Sequence, residues 1–486
     1  MRAVVSPRKG ATGERPPRKW CSIPHPAEPQ EGDRSTRLSC RSSRAPHLGR
    51  ATDPSLGWGL SSCAPAGLKG TGPDGPPAPC GPSKRTKQPG LRNEPNRIGR
   101  MLTPLQQQVL DRAAADGWQV LFSPYRACLV GAHVDHQGGK VTGFALSYGI
   151  VLAYSPTDDG MIRLEDLTVT GRASLNHANE PVELENAQDW SKFVMGAGKL
   201  LSPRKRGFEG VVAGSLPSGG LSSSAAFSLA ILSALADANG RALTNLELSR
   251  AAVEIENRFV GVNCGLLDPT IITNAKAGHM VTLDCATGDV TVEPGPEVAI
   301  VAVYSGIPRA LVSTGFNNRT EECRQAARML SKLIGHQEEV TRLGELPRDL
   351  VLRHIDALPE PYCLRARHFV TETERVERAT SAWRAGDLEE LGRCASESLN
   401  SSIANYETGS EEQRVLARIL RDTPAVLGAR FCGGGFGGFA AGLCLPSDAQ
   451  RIASDALGAY RRAVPGHAHQ AFAIVSQPSD GLRRLR

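Results

Sequence analysis

Residues 225–238, AAFSLAILSALADA, predict a strongly apolar helix, and GSLPSGGLSSS at residues 214–224 separates it from a short strand at Val211 and Val212. A strand that passes through glycines into such a helix couples sheet to helix at a fixed point, which commits the chain to a mixed architecture. The apolar run meets Asp237 after twelve residues, too short to cross a bilayer.

Around this unit the periodicities change repeatedly. Helical spacing marks residues 103–116, where Leu105, Val109 and Leu110 share a face, and then 190–201, 245–259, 321–333, 366–385 and 387–400. Short strands are expected at 120–122, 127–130, 280–283, 298–304 and 469–476, a strand pair at 142–154, and more sheet with polar turns over 162–184. The order reads as an α+β fold of 486 residues with no internal repeat and a division near residues 290–310.

Charge is distributed unevenly. Residues 1–100 carry 18 Lys and Arg against 7 Asp and Glu, whereas residues 101–486 carry 38 against 43, so the net +6 belongs to the leader alone. The body has no basic surplus for nucleic acid and no segment for a membrane. Rich in Pro, Gly, Ser and Arg and without hydrophobic periodicity, the leader (1–100) is expected to be disordered. It lacks the apolar core of a secretory signal. Its bias resembles an organellar transit segment, and an upstream extension that the working protein does not carry, with Met101 opening the first periodic segment, fits equally. Four cysteines lie in the leader and eight are scattered through the body without a CxxC pair, which favours reduced thiols over disulfides or a zinc site. The expected location is cytoplasmic, or plastid if the leader is a transit segment. Nothing in the sequence specifies an oligomeric state.

Four segments carry chemistry. In the 214–227 string, glycines let the backbone approach a phosphate, the helix N-terminus offers N–H groups and a positive dipole end, and serine hydroxyls reach a metal or phosphate oxygen. An ordinary helix entry capped by serine would use the same residues. The GxxxxGK[ST] spacing of a Walker loop is absent. A second loop, FCGGGFGGFAAGL at 431–443, has five glycines in six positions and runs into an apolar strand. Between them, ENRFVGVNCGLLDP at 256–269 ends a helix on Glu256 and carries Asp268 after a glycine turn; one carboxylate suffices for Mg²⁺ and the other for an acceptor hydroxyl, although a solvated role remains open to either. Upstream, SPYRACLVGAHVDHQGG at 123–139 places His133, Asp135 and His136 behind a short strand, a polar cluster suited to a small polyol.

The first three of these resemble the three motifs of the GHMP small-molecule kinases, and the fourth, residues 123–139, makes the likeness specifically galactokinase-like. VSTGFNNRTEECRQAARML at 312–330 and RARHFVTETERV at 365–376 are two further galactokinase-like segments, so the resemblance extends over about residues 103–478. It implies a two-domain fold, with a left-handed βαβ crossover in an N-terminal domain (101–295) and a ferredoxin-like C-terminal domain (296–486), ATP and sugar meeting in the cleft between them. It further implies Asp268 and Arg126 as catalytic residues: Asp268 orients or deprotonates the anomeric hydroxyl, and Arg126 holds Asp268 ionised and stabilises the transferring phosphoryl group. Pro217, Gly219, Gly220, Leu221, Ser222, Ser223, Ser224 and Ala225 fall on the ATP loop. Ser224, with Ser223 as competitor, and Glu256 fall on Mg²⁺. Sugar contacts fall to Arg126, His133, Asp135, the backbone at Gly265, and Asp268.

The pattern is broken at Ala132, where galactokinases carry an acid, usually Glu, in the string G-E-H-T-D. That carboxylate accepts from the C6 hydroxyl of galactose. Alanine removes the acceptor and also a charge that would repel a C6 carboxylate, as in the plant galacturonokinases, which share it. Pro269 in place of the usual Gln and Phe316 where Tyr is common also agree with a shifted substrate. The resemblance therefore implies an ATP-dependent sugar-1-kinase that takes D-galacturonate, a small sugar acid, to its 1-phosphate, a step in nucleotide-sugar salvage. The alternatives are a galactokinase or glucuronokinase and, in another class, a non-catalytic sugar and ATP sensor, which would have no need of Arg126, Asp268, Glu256 and the serines together.

Overall fold

The computed structural model describes residues 102–217, 219–308, 315–336 and 338–486; the leader with its expected disorder, Met101 and the opening of the 312–330 segment lie outside them. Helix α1 (Pro104–Asp116) begins on a capping box in which the Thr103 hydroxyl accepts from the Gln106 amide and the Gln106 side chain from the Thr103 amide. Gly117 ends it in the left-handed region at φ 68°.

Strand β1 (Gln119–Ala127) then pairs antiparallel with β2 (Lys140–Thr157). The strands expected at 120–122 and 127–130 are thus one strand that stops at Ala127, and the pair expected at 142–154 is one long strand. Ser123 and Pro124 hide this continuity in the sequence. The sheet keeps them because a bulge between Pro124 and Arg126 absorbs the break in the ladder.

The chain continues through β3 (Ile162–Asp166), β4 (Gly171–Leu175), β5 (Pro181–Glu185), α2 (Ser191–Leu200), β6 (Gly207–Gly214) and α3 (Ser223–Ala238). Helix α3 is buried along nearly its whole length, as its uniform apolarity requires. Helix α4 (Asn245–Ile255) follows from a second capping box, at Thr244 and Glu247. The helix expected to reach 259 changes at Ile255 into a π turn, Glu256–Val260, in which the Gly261 amide donates to the Glu256 carbonyl. Helix α5 (Leu267–Asn274), β7 (His279–Asp284) and β8 (Val290–Pro294) complete this part.

A second sheet begins with β9 (Ala299–Tyr304). Helices α6 (Phe316–Leu333), α7 (Arg348–His354), α8 (Tyr362–Ala385), α9 (Leu388–Ala404) and α10 (Glu411–Asp422) precede β10 (Gly428–Phe431) and β11 (Phe439–Cys444); α11 (Ala449–Ala463) precedes β12 (Phe472–Ser476). The four strands lie in the order β10-β11-β9-β12, all antiparallel, which is the βαββαβ ferredoxin-like arrangement with an enlarged first crossover. The final strand, β13 (Arg483–Arg484), returns to β1, giving the larger sheet the order β13-β1-β2-β6-β3-β4-β5 with β7 and β8 off β2. One hydrophobic core runs from α3 to Ile300 on β9, Phe439 on β11 and Trp383 on α8. Among the described residues no helix is long and apolar enough to cross a membrane.

Candidate active site

Strand β1 delivers Arg126 at its bulge, and α5 delivers Asp268 in its first turn. The Arg126 Nε and Nη2 both reach Asp268 Oδ1, at 2.7 and 2.6 Å, while Nη1 donates to the Gly220 carbonyl at 2.9 Å. The Arg126 side chain is 3 % exposed and that of Asp268 27 %, so the acid faces open space while its cation is sealed behind it. Ser222 sits at φ 64° before α3; its hydroxyl donates to the second Asp268 oxygen at 2.5 Å and makes no capping bond to the helix. The start of α3 therefore has no side-chain cap.

The chain after β1 leaves the sheet, and a 3₁₀ turn, Asp135–Gln137, closes against Gly265. A methyl group on Gly265 would lie 2.6 Å from the His136 amide nitrogen, so only glycine lets the turn come this close. Asp135 accepts from the Leu267 amide at 3.4 Å. Burial, and next the neighbouring Asp268 charge, push the Asp135 carboxyl up to about 6. His133 adopts φ 65° and stacks its ring on Tyr406 at 4.4 Å and 9°. The His136 Nε2 lies 3.1 Å from the Tyr406 hydroxyl, and burial pushes this imidazole down to about 3, so it is neutral.

Beneath Ala132 lies a network that sequence reading missed. The Glu372 carboxylate on α8 is fully buried; its Oε1 accepts from the Gly131 and Ala132 amides at 2.7 and 3.2 Å, and its Oε2 pairs with Arg375 at 2.7 Å. His368 Nε2 lies 2.9 Å from the Ala132 carbonyl and so donates to it, with Nδ1 accepting from Ser401. Arg430, at the end of β10, is 1 % exposed and donates to the Phe431 carbonyl, Ser398 and Ser402. His368, Glu372 and Arg375 fall within the 365–376 segment, and Arg430 stands one residue before the second glycine loop. Those positions were the available signal, but each role depends on a partner far away in sequence.

The two glycine loops touch. The Phe439 amide donates to the Gly219 carbonyl at 2.9 Å, and a methyl on Gly438 would lie 2.1 Å from that same oxygen. Close backbone approach thus accounts for part of their glycine content.

Arg126, Ala132, His133, Asp135, Ser224, Glu256, Asp268 and Phe316 line one cavity, together with Cys128, Arg430, Gly433 and Gly434. Gly265 lines an adjoining cavity that shares Asp135, and Gly220 and Ser222 support the Arg126–Asp268 pair from behind. Gly219, Leu221 and Ala225 are buried, Ser223 is half-buried, and Pro217 is exposed and lines neither cavity. Of the two competing serines, Ser224 is the one on the cavity wall with Glu256. One hydroxyl and one carboxylate suit Mg²⁺, which takes most of its remaining ligands from water and phosphate.

Residues 192–276 match the GHMP kinases N terminal domain and residues 379–462 the GHMP kinases C terminal domain. The chain is 34 % identical over 399 residues to a galacturonokinase of Arabidopsis thaliana, covering 76 % of this chain and 93 % of that one. It is 32 % identical over 375 residues to a galactokinase of Lactobacillus helveticus, with 75 % and 95 % covered. The crystal structure of Lactococcus lactis galactokinase complexed with galactose superposes with a TM-score of 0.70 at 27 % identity, covering 79 % of this chain and all of that one. The chain belongs to the GHMP kinase family, as a sugar kinase of the galactokinase and galacturonokinase type.

Proposed function

We propose that the protein transfers the γ-phosphoryl group of ATP to O1 of D-galacturonate, giving galacturonate 1-phosphate and ADP. The observation that carries this reading is that Ala132 lines the same cavity as Arg126 and Asp268, in the place where the galactokinase string has an acid. At position 132 itself a carboxylated sugar meets no opposing side-chain charge, and the galacturonokinase similarity supports the same substrate.

Asp268, exposed toward the cavity and oriented by Arg126 and Ser222, takes or orients the O1 proton as O1 attacks the γ-phosphorus and the bond to the ADP oxygen breaks. Arg126 holds positive charge beside the reacting atoms. Asp135 and His133 take sugar hydroxyls, with Phe316 on the same wall and the Gly265 backbone holding the Asp135 turn. The 217–225 loop and the uncapped start of α3 receive the nucleotide phosphates. Ser224 and Glu256 hold Mg²⁺, which supplies charge neutralisation on the transferred group when bound. We assign residues 101–295 to an N-terminal domain and 296–486 to a C-terminal domain, with β13 pairing back to β1. We assign the protein to the cytoplasm, with plastid the alternative.

A substrate panel with the full chain tests this. ATP consumption with galacturonate is expected to exceed that with galactose or glucuronate by about tenfold or more in kcat/KM. Equal or better use of galactose overturns the galacturonate assignment, and ATP and sugar binding without turnover shows a sensor.

A further inference from the structure

Arg430 is a buried cation beside Ala132 whose own partners do not balance its charge. A guanidinium stays protonated at any working pH, so burying one calls for an anion. Arg430 instead donates to three neutral oxygens: the Phe431 carbonyl at 3.0 Å, Ser398 Oγ at 2.6 Å and Ser402 Oγ at 3.4 Å. The one acid within 4.0 Å of it among the described residues, Glu372, is already engaged by Arg375 at 2.7 Å, by Ser398 and by two backbone amides. Two buried guanidiniums thus share one carboxylate, and one positive charge is left over.

That charge is placed next to the substitution that defines the substrate. The Ala132 amide and the Arg430 Nη1 approach the same Glu372 oxygen, at 3.2 and 4.0 Å, and both residues line the catalytic cavity. An acid at position 132 would neutralise the guanidinium. Alanine leaves it unneutralised, on the wall of the same cavity. Nη1 and Nη2 each carry a second N–H beyond the bond to serine, and that pair matches the two oxygens of a carboxylate.

We propose that Arg430 selects the acidic sugar, its guanidinium pairing with the C6 carboxylate of the substrate while Ser398 and Ser402 fix its orientation. This rests on the galacturonate reading above and names the cation that reading requires.

The test compares galacturonate with its uncharged methyl ester, in the full-length wild type and in Arg430→Gln and Arg430→Lys. The kcat/KM ratio of acid to ester is expected to fall about tenfold or more in Arg430→Gln, carried mainly by KM for the acid, and to recover in part in Arg430→Lys. A ratio unchanged while both substrates lose activity together means a structural role and overturns the proposal. If Arg430→Gln does not fold, Ser402→Ala decides: it removes one 3.4 Å contact to the guanidinium and should lower the ratio about threefold, and an unchanged ratio overturns the proposal. A wild type that does not use galacturonate overturns the substrate reading and the Arg430 assignment with it. A wild type that uses it, with variants that keep the ratio, overturns Arg430 alone.

Discussion

Arg126 grips Asp268 through two nitrogens on one oxygen, at 2.7 and 2.6 Å, and Ser222 takes the other oxygen at 2.5 Å, so the acid is fixed in position by strand, loop and helix together. Such a carboxylate loses little entropy on presenting itself to a bound hydroxyl. The pair is sealed on the arginine side and open on the aspartate side, which gives the cavity one reactive face.

Asp268→Asn keeps the shape of the side chain and removes its basicity. Turnover is expected to fall by about 10²–10⁴-fold. ATP affinity measured by calorimetry should stay within a few-fold of wild type, because the phosphate loop keeps its own contacts. Loss of ATP binding in step with turnover would point to a structural role for Asp268.

Asp135 gives a pH signature with opposite effects on activity and stability. Its carboxyl, pushed up to about 6 by burial and by Asp268, ionises as pH rises through that value, so kcat/KM should climb between pH 5 and 7 and flatten in Asp135→Asn. Between the ordinary carboxylate range and 6, the folded state binds more protons than the unfolded state, so stability is lost as pH rises through this window. Asp135→Asn should therefore be more stable than wild type by about 1–3 kcal/mol at pH 7, with the gain shrinking toward pH 4.5, as denaturant titration at the two pH values would show.

Ala132→Glu should reverse the substrate preference. The new carboxylate enters the cavity wall whose backbone is pinned by Glu372 and His368, and it opposes a sugar acid while offering an acceptor to a C6 hydroxyl. Galacturonate kcat/KM is expected to drop by about 10²-fold, with galactose use unchanged or improved. Parallel loss of both sugars would mean that position 132 tolerates only a small side chain.

Glu372→Gln removes the carboxylate that Arg375 pairs with and that the Gly131 and Ala132 amides donate to. Burial works against this charge, but the Arg375 and Arg430 guanidiniums hold the carboxyl below its ordinary range. The contribution is present above the ordinary carboxylate pKa and is lost as pH falls through the lowered folded value. At pH 7 the substitution should cost about 3–5 kcal/mol by urea denaturation, with a smaller loss in acid.

Much of the fold was legible because its signals are local. The helical spacing of α1, the apolar helix α3 and the strand β9 each depend on neighbours within a turn or a strand. The reading failed where a distant partner decided the conformation. Strand β1 crosses Ser123 and Pro124 only because β2 pairs with it. Helices α10 and α11 went unread, although both are amphipathic with their apolar faces against the second sheet.

The sequence by itself determined the glycine loops, the apolar helix between strand and turn, the carboxylates at 256 and 268, and the alanine at 132, since each is written in adjacent residues. Only the tertiary structure decided that Ser222 serves Asp268 instead of capping its helix, that the glycine loops interlock, and that Arg430 stands with Ala132 and Glu372. The physical reason is that a charge acquires its role from the opposite or missing charge beside it. Arg430 and Ala132 lie far apart in the chain, and only folding brings them to one carboxylate oxygen.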